Sequence, residues 1–207
     1  MLRVKHAFFH YGYSKLTMVD LAEVCGFTRR ALYYHFKNKE EAFRASIRHS
    51  STQDIRTALE AGERVRQGGG SAVDIISEIM DIRYGTTRRI VQVSPHTVEL
   101  NAVAFMKCRD IMIEFATSFQ SDIENLIVSL AEDGLLHLTG DLSPREIAQA
   151  LADGARGVNQ ALPPPALTEL SGRYRLMCHS ILFGSAVASK SDARAKPHPA
   201  RRQTVRR

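Results

Sequence analysis

Thr17-Met18-Val19-Asp20-Leu21-Ala22-Glu23-Val24-Cys25-Gly26-Phe27-Thr28-Arg29-Arg30-Ala31-Leu32-Tyr33-Tyr34-His35-Phe36-Lys37-Asn38-Lys39-Glu40-Glu41 is the stretch that decides the fold. Thr17 and Asp20 have the spacing of a helix cap, a hydroxyl followed three residues on by a carboxylate. Val19, Leu21, Ala22 and Val24 supply an apolar side over a helix of about Thr17 to Val24. Gly26 permits a tight turn, and Thr28 caps a second helix reaching about Phe36. Two helices of about eight residues joined by a glycine turn make a helix-turn-helix, whose second helix enters the DNA major groove.

The charges point the same way. Arg29 and Arg30 sit in the first turn of the second helix, and Lys39 in the first turn of the next. Cations at a helix start oppose the macrodipole, each at about 0.3–1 kcal/mol. Acids such as Glu40 and Glu41 are the stabilising choice there. Arginines at the start of a recognition helix reach base edges, and a lysine there suits a phosphate. Leu32 and Phe36 share one helical face, expected in the core, so at least one of Tyr33 and Tyr34 is expected to point outward. The candidate DNA contacts are Thr17, Thr28, Arg29, Arg30, Tyr33, Tyr34, His35 and Lys39.

Upstream, Val4, Ala7, Phe8 and Tyr11 recur at helical spacing and Gly12 stops them, so a short first helix is expected. From about Val4 to Phe43 the chain closely resembles the DNA-binding domain of the tetracycline-repressor (TetR) family, above all in Tyr33-Tyr34-His35-Phe36-Lys37-Asn38-Lys39-Glu40. The resemblance implies that Thr28 to Phe36 is the recognition helix. It implies that Thr17, Arg29, Arg30, Tyr33, Tyr34, His35 and Lys39 match positions that contact DNA. It also implies a C-terminal helical domain for ligand binding and dimerisation. Arg30 and Ala31 stand where the family often has a small residue and a threonine, which bears on the bases read rather than on docking.

The remaining pattern is helical throughout. A long helix is expected from about Asn38 to Val65, ended by Gly68-Gly69-Gly70. Ile75, Ile76, Ile79, Met80 and Ile82 mark an amphipathic helix, and His96 to Leu130 reads as one or two more, with Gly134 placed as a C-terminal cap. Ser143-Pro144-Arg145-Glu146 is a strong start signal, for a helix expected to reach Leu162. Pro163-Pro164-Pro165 breaks it, and a last helix is expected from about Leu167 to Phe183. The fold is read as all-α with about nine helices. Residues 1–48 are expected to form the DNA-binding domain, 49–186 the ligand-binding and dimerisation domain, and 187–207 a disordered basic tail.

Net charge is +6 and unevenly spread: residues 1–50 carry nine Lys/Arg against four Asp/Glu. A basic head suits a polyanion. The three cysteines, Cys25, Cys108 and Cys178, are far apart and form no CxxC pair, so neither a disulfide framework nor a metal site is expected. No signal-peptide run opens the chain and no apolar stretch is long enough to span a membrane. A soluble cytoplasmic protein is expected. No glycine-rich phosphate loop, HExxH, GxSxG or paired-carboxylate site is present, so neither an enzyme nor a cofactor is expected.

Function is therefore read as repression of an operator, relieved by a small, largely apolar effector. The candidate pocket residues are Ile79, Met80, Tyr84, Phe105, Met106, Met112, Phe115 and Phe119; Arg83, Arg88, Arg89 and His96 are candidates for an anionic ligand group. The partners expected are double-stranded operator DNA, the effector, and a second copy docking through helices 143–162 and 167–183, where Gly154 and Gly157 allow close approach. The alternative is a helix-turn-helix that packs protein rather than DNA, with no inducer.

Overall fold

The glycine and serine punctuation sets where the helices start and stop. The computed structural model describes residues 1–91 and 94–184. Within them α1 spans Leu2–Tyr11, α2 Met18–Cys25, α3 Arg29–His35 and α4 Lys39–Gln67. After the triple glycine come α5 (Ala72–Met80), a π turn (Asp81–Gly85) and α6 (Thr86–Val91), which continue one another. Then follow α7 (Thr97–Lys107), α8 (Arg109–Glu132), α9 (Pro144–Asn159) and α10 (Leu170–Phe183). With α5 to α6 counted as one rod, the described residues form the all-α arrangement of about nine helices, and no strand.

Caps explain most boundaries. Thr17, Ser71 and Ser143 each close a capping box with the acid three residues on, Asp20, Asp74 and Glu146. Such a box satisfies two otherwise orphaned backbone donors. Gly26 ends α2 at φ +71°, a left-handed conformation that favours glycine. Two expected boundaries shift. The α9 helix stops at Asn159 rather than Leu162, ahead of the prolines. Leu167–Glu169 form a 3₁₀ turn, so α10 begins at Leu170. The run from His96 to Leu130 is two helices, broken at Cys108 (φ −128°, ψ 19°).

Two apolar cores result. One joins Val4, Ala7 and Phe8 of α1, Leu21 and Cys25 of α2, Leu32 of α3 and Phe43 of α4 to Leu100, Val103 and Ile111 of α7 and α8. The other gathers α5, the second half of α4, α8, α9 and α10 around Ile76, Ile79, Met80, Phe119, Ile123, Ile127, Leu151, Tyr174 and Cys178. The α4 helix runs unbroken from one core into the other. Gly154 lets α10 lie close on α9 in the same chain, since a Cβ there would meet Met177 Sδ at 2.9 Å and Ile181 Cδ1 at 3.0 Å. No described helix is long and apolar enough to cross a membrane. The expected basic tail, 187–207, lies outside the described residues.

Candidate nucleic-acid interface

The geometry of α3 follows from its caps and one anchor. Thr28 Oγ1 accepts the Ala31 N–H at 3.2 Å. Leu32 is the helix's buried residue, fully enclosed by the head core. Every other position is free to face outward. Arg29, Arg30, Tyr33, Tyr34 and His35 are all exposed, Tyr33 at 52% and Tyr34 at 87%. Thus both tyrosines point outward, where the sequence required only one. Among the described residues neither arginine forms an ion pair. A seven-residue helix with one buried side chain and two unpaired guanidiniums gains little stability from those cations, so their use lies in solvent.

The candidate at the start of α2 serves locally as well. Thr17 N–H donates to Asp20 Oδ2 at 2.9 Å, and the Asp20 N–H donates to Thr17 Oγ1 at 3.2 Å. The Thr17 hydroxyl, donating to Asp20 Oδ2 at 2.7 Å, and then the Thr17 N–H hold the Asp20 carboxyl below its usual range. Thr17 remains exposed at the outer end of α2.

Lys39 sits differently from the sequence expectation. Its ammonium turns inward, donating to the Tyr13 carbonyl at 2.8 Å and the Ser14 carbonyl at 3.4 Å, and lies 4.6 Å from the Tyr13 ring centroid. A cation at the start of α4 is thus explained by bonds that close the α1–α2 turn, without any phosphate. Lys37, which the sequence reading passed over, is the exposed cation beside α3. Its position in the Phe36-Lys37-Asn38 turn, just before the Asn38 cap of α4, was the available signal.

The head is strapped to the body at two places. Ser14 N–H donates to Glu99 Oε1 at 2.7 Å, and Ser94 Oγ donates to the Phe9 carbonyl at 2.7 Å. Further along, Lys107 pairs with Glu40 at 2.5 Å, Arg44 with Asp110 and Arg48 with Glu114. Arg44 holds the Asp110 carboxyl down to about 2. None of these straps touches α3. The partners lie 63 or more residues apart, so no sequence spacing revealed them.

The candidate effector residues do not come together. Ile79, Met80 and Phe119 are fully buried in the body core, with half-buried Tyr84 and Phe115 against them. Met112 packs on the head core instead. Phe105 and Met106 are 58% and 74% exposed on the outer side of α7, so they cannot share an enclosed space with Ile79. The helical period explains it: Leu100, Val103 and Ala104 already occupy the inward side of α7. Two surface clefts, about 430 Å³ beside Tyr11, Leu16 and Val24 and about 320 Å³ beside Val65, Asp81 and Arg175, involve none of the eight. On α10, Gly172, Leu176, His179 and Phe183 form an exposed stripe at helical spacing.

Residues 5–45 match the family described as bacterial regulatory proteins, tetR family. The HTH-type transcriptional regulator TtgR of Pseudomonas putida is 32% identical over 101 residues, 46% of this chain and 47% of that protein. That match spans about half the length of the relative. Two solved structures share the fold across almost the whole chain. PfmR from Thermus thermophilus has a TM-score of 0.56 at 17% identity, covering 89% of this chain and 97% of that one. FadR from Bacillus subtilis in complex with stearoyl-CoA has a TM-score of 0.62 at 12% identity, covering 89% and 96%.

Proposed function

We propose that this chain is a regulator of the TetR family, whose model residues 5–45 match, and that it binds operator DNA as a homodimer and is released by a small-molecule effector. It acts as a regulator rather than an enzyme. The observation that carries the reading is α3, anchored by Leu32 alone and presenting Arg29, Arg30, Tyr33, Tyr34 and His35 to solvent. Residues 1–48 form the reading unit. Arg29 and Arg30 meet base edges, and the tyrosine hydroxyls, Thr17, Thr28, His35 and Lys37 position the helix on phosphates. Lys39 supports the unit from within.

Residues 49–186 supply the response and the second copy. The exposed stripe of α10 (Leu176, His179 and Phe183 beside the small Gly172) supports docking of two copies through α9 and α10. A two-fold pair of heads then reads half-sites about 34–36 Å apart. The Bacillus subtilis regulator of the same fold was seen with stearoyl-CoA, which supports a small-molecule effector for this body. Within the body, Ile79, Met80, Tyr84, Phe115 and Phe119 are the apolar residues such a molecule meets.

The test is operator selection with purified protein, followed by affinity measured between 50 and 200 mM salt. Phosphate contacts predict a log–log slope of about −0.9 per phosphate neutralised. A flat response would assign the exposed helix to protein packing instead.

A further inference from the structure

Four basic side chains of the body are candidates for an anionic ligand group, and the structure separates them. Arg89 is taken: its Nη2 donates to both Asp81 oxygens, at 2.7 and 2.9 Å, while Ser171 Oγ donates to Asp81 Oδ2 at 2.5 Å. His96 lies 3.7 Å from Glu99, up at the head. Arg83 and Arg88 remain, on the π turn and the first turns of α6. Each has a buried Nε with no hydrogen-bond partner among the described residues. Tyr174 on α10, fully buried, has an unpartnered hydroxyl as well. Native interiors leave few such groups unpaired, so three around one turn call for a partner.

The setting is chemically specific. The Arg83 guanidinium lies 5.3 Å from the Tyr84 ring centroid and 5.7 Å from that of Phe119, flat aromatic walls that leave its edges as donors. Burial most of all, and then the Asp81 carboxylate, push the Tyr174 hydroxyl up, with Arg89, Tyr84 and Arg88 as lesser influences on it. Gly85 keeps the turn tight, since a Cβ there would strike Asp81, Arg89 and Tyr174. A π turn inside a helix is itself a frequent mark of a functional position.

We propose that this turn holds the carboxylate of an amphipathic effector, received by Arg83, Arg88 and the Tyr174 hydroxyl, with the apolar part displacing half-buried Tyr84 and Phe115. The proposal deepens the ligand-released regulator reading and rests on it. A neutral head would leave two guanidiniums unpaired, and a cation would be repelled. A phosphate dianion is disfavoured because Asp81 lines the same turn and Asp54 of α4, whose carboxyl burial pushes up, lies within the electrostatic reach of Arg83. One negative charge shared by two oxygens suits three donors beside those acids.

The experiment uses the full chain without DNA. Hexanoate, decanoate and 1-naphthoate are titrated against the alcohols of the same carbon skeletons, by calorimetry and thermal shift. At least one carboxylate is expected to bind tenfold or more tighter than its alcohol. Arg88→Gln and Arg83→Gln are each expected to remove that preference. Tyr174→Phe, which keeps the packed ring, is expected to weaken carboxylate binding several-fold while the protein stays folded. Equal binding of acid and alcohol overturns the proposal. So does a preference that survives Arg88→Gln and Tyr174→Phe, or a crystal structure with ordered water satisfying all three groups and no carboxylate discrimination. Operator binding is measured separately. A neutral compound that releases DNA sinks the carboxylate site alone. Carboxylates that require Arg88 yet never weaken operator binding sink the release reading alone.

Discussion

Lys39→Met separates two roles for one cation. The wild-type ammonium donates to two backbone carbonyls and sits over the Tyr13 ring. A hydrogen bond from a charged group is worth about 1.5–3 kcal/mol, and the lower end applies because Lys39 is half-exposed. The cation–π contact adds about 0.5 kcal/mol. Methionine keeps much of the stem's apolar contact, so the loss comes to about 2 kcal/mol. For a chain of 150–250 residues each kcal/mol moves Tm by about 2–4 °C, which predicts a fall of about 4–8 °C in a calorimetric or fluorescence melt. At 25 °C the head stays folded, given the usual 5–15 kcal/mol of native stability. Operator affinity should then stay within about threefold of wild type, with an unchanged salt slope. An unshifted Tm together with a salt slope reduced by about one would refute the reasoning and return Lys39 to the phosphate backbone.

The other predictions concern the reading face, the anchor, the dimer and acid–base behaviour. Arg29→Ala and Tyr34→Ala should each change stability by less than about 0.5 kcal/mol. The first should cost about 1–3 kcal/mol of operator affinity with relaxed base preference, as band-shift titrations on randomised operators would show. Leu32→Ala removes the one buried side chain of α3 and should cost about 2–5 kcal/mol in a denaturant titration. Leu176→Glu with Phe183→Glu changes only exposed positions, so the chain should remain folded but elute as a monomer, with operator binding lost at matched concentration. Asp74, bonded to Ser71 and Arg175, and Asp110, paired with Arg44, have carboxyls lowered to about 2. Their stabilisation is present above the unfolded value near 4 and should disappear as pH falls from about 4 to about 2, read as a dropping Tm. Burial pushes the Cys178 thiol up to about 12 from 9.0, so its share is intact below pH 9 and lost as pH rises from there toward 12.

Local chemistry is what the sequence displayed well. Thr17, Thr28 and Ser143 all cap helices in the way their positions imply, because a cap is built from residues three or four apart. Gly26 and Gly134 likewise adopt the left-handed conformations that suit helix ends. What escaped was whatever depends on distant partners. Lys39 was legible as an oddly placed cation, but its acceptors belong to a turn 25 and 26 residues away. The break at Cys108 carries no glycine or proline to announce it. The π turn at Asp81–Gly85 continues an apolar helical pattern, and only the Arg89 and Ser171 bonds to Asp81 show how it is held. Methionines and phenylalanines were selected as pocket residues by type alone. Type does not say which side of α7 faces in, and Phe105 and Met106 therefore fell on the wrong side.

Gly12 ties these observations together. Its φ of +76° lets the chain leave α1, and a Cβ there would collide with Glu99 and His96 of the segment that straps the body to the head. One missing methyl thus serves as both bend and seat. The contact joins the first turn of α7 to the base of the head, just ahead of α2 and α3. A larger residue at position 12 would therefore forfeit the bend and the seat together.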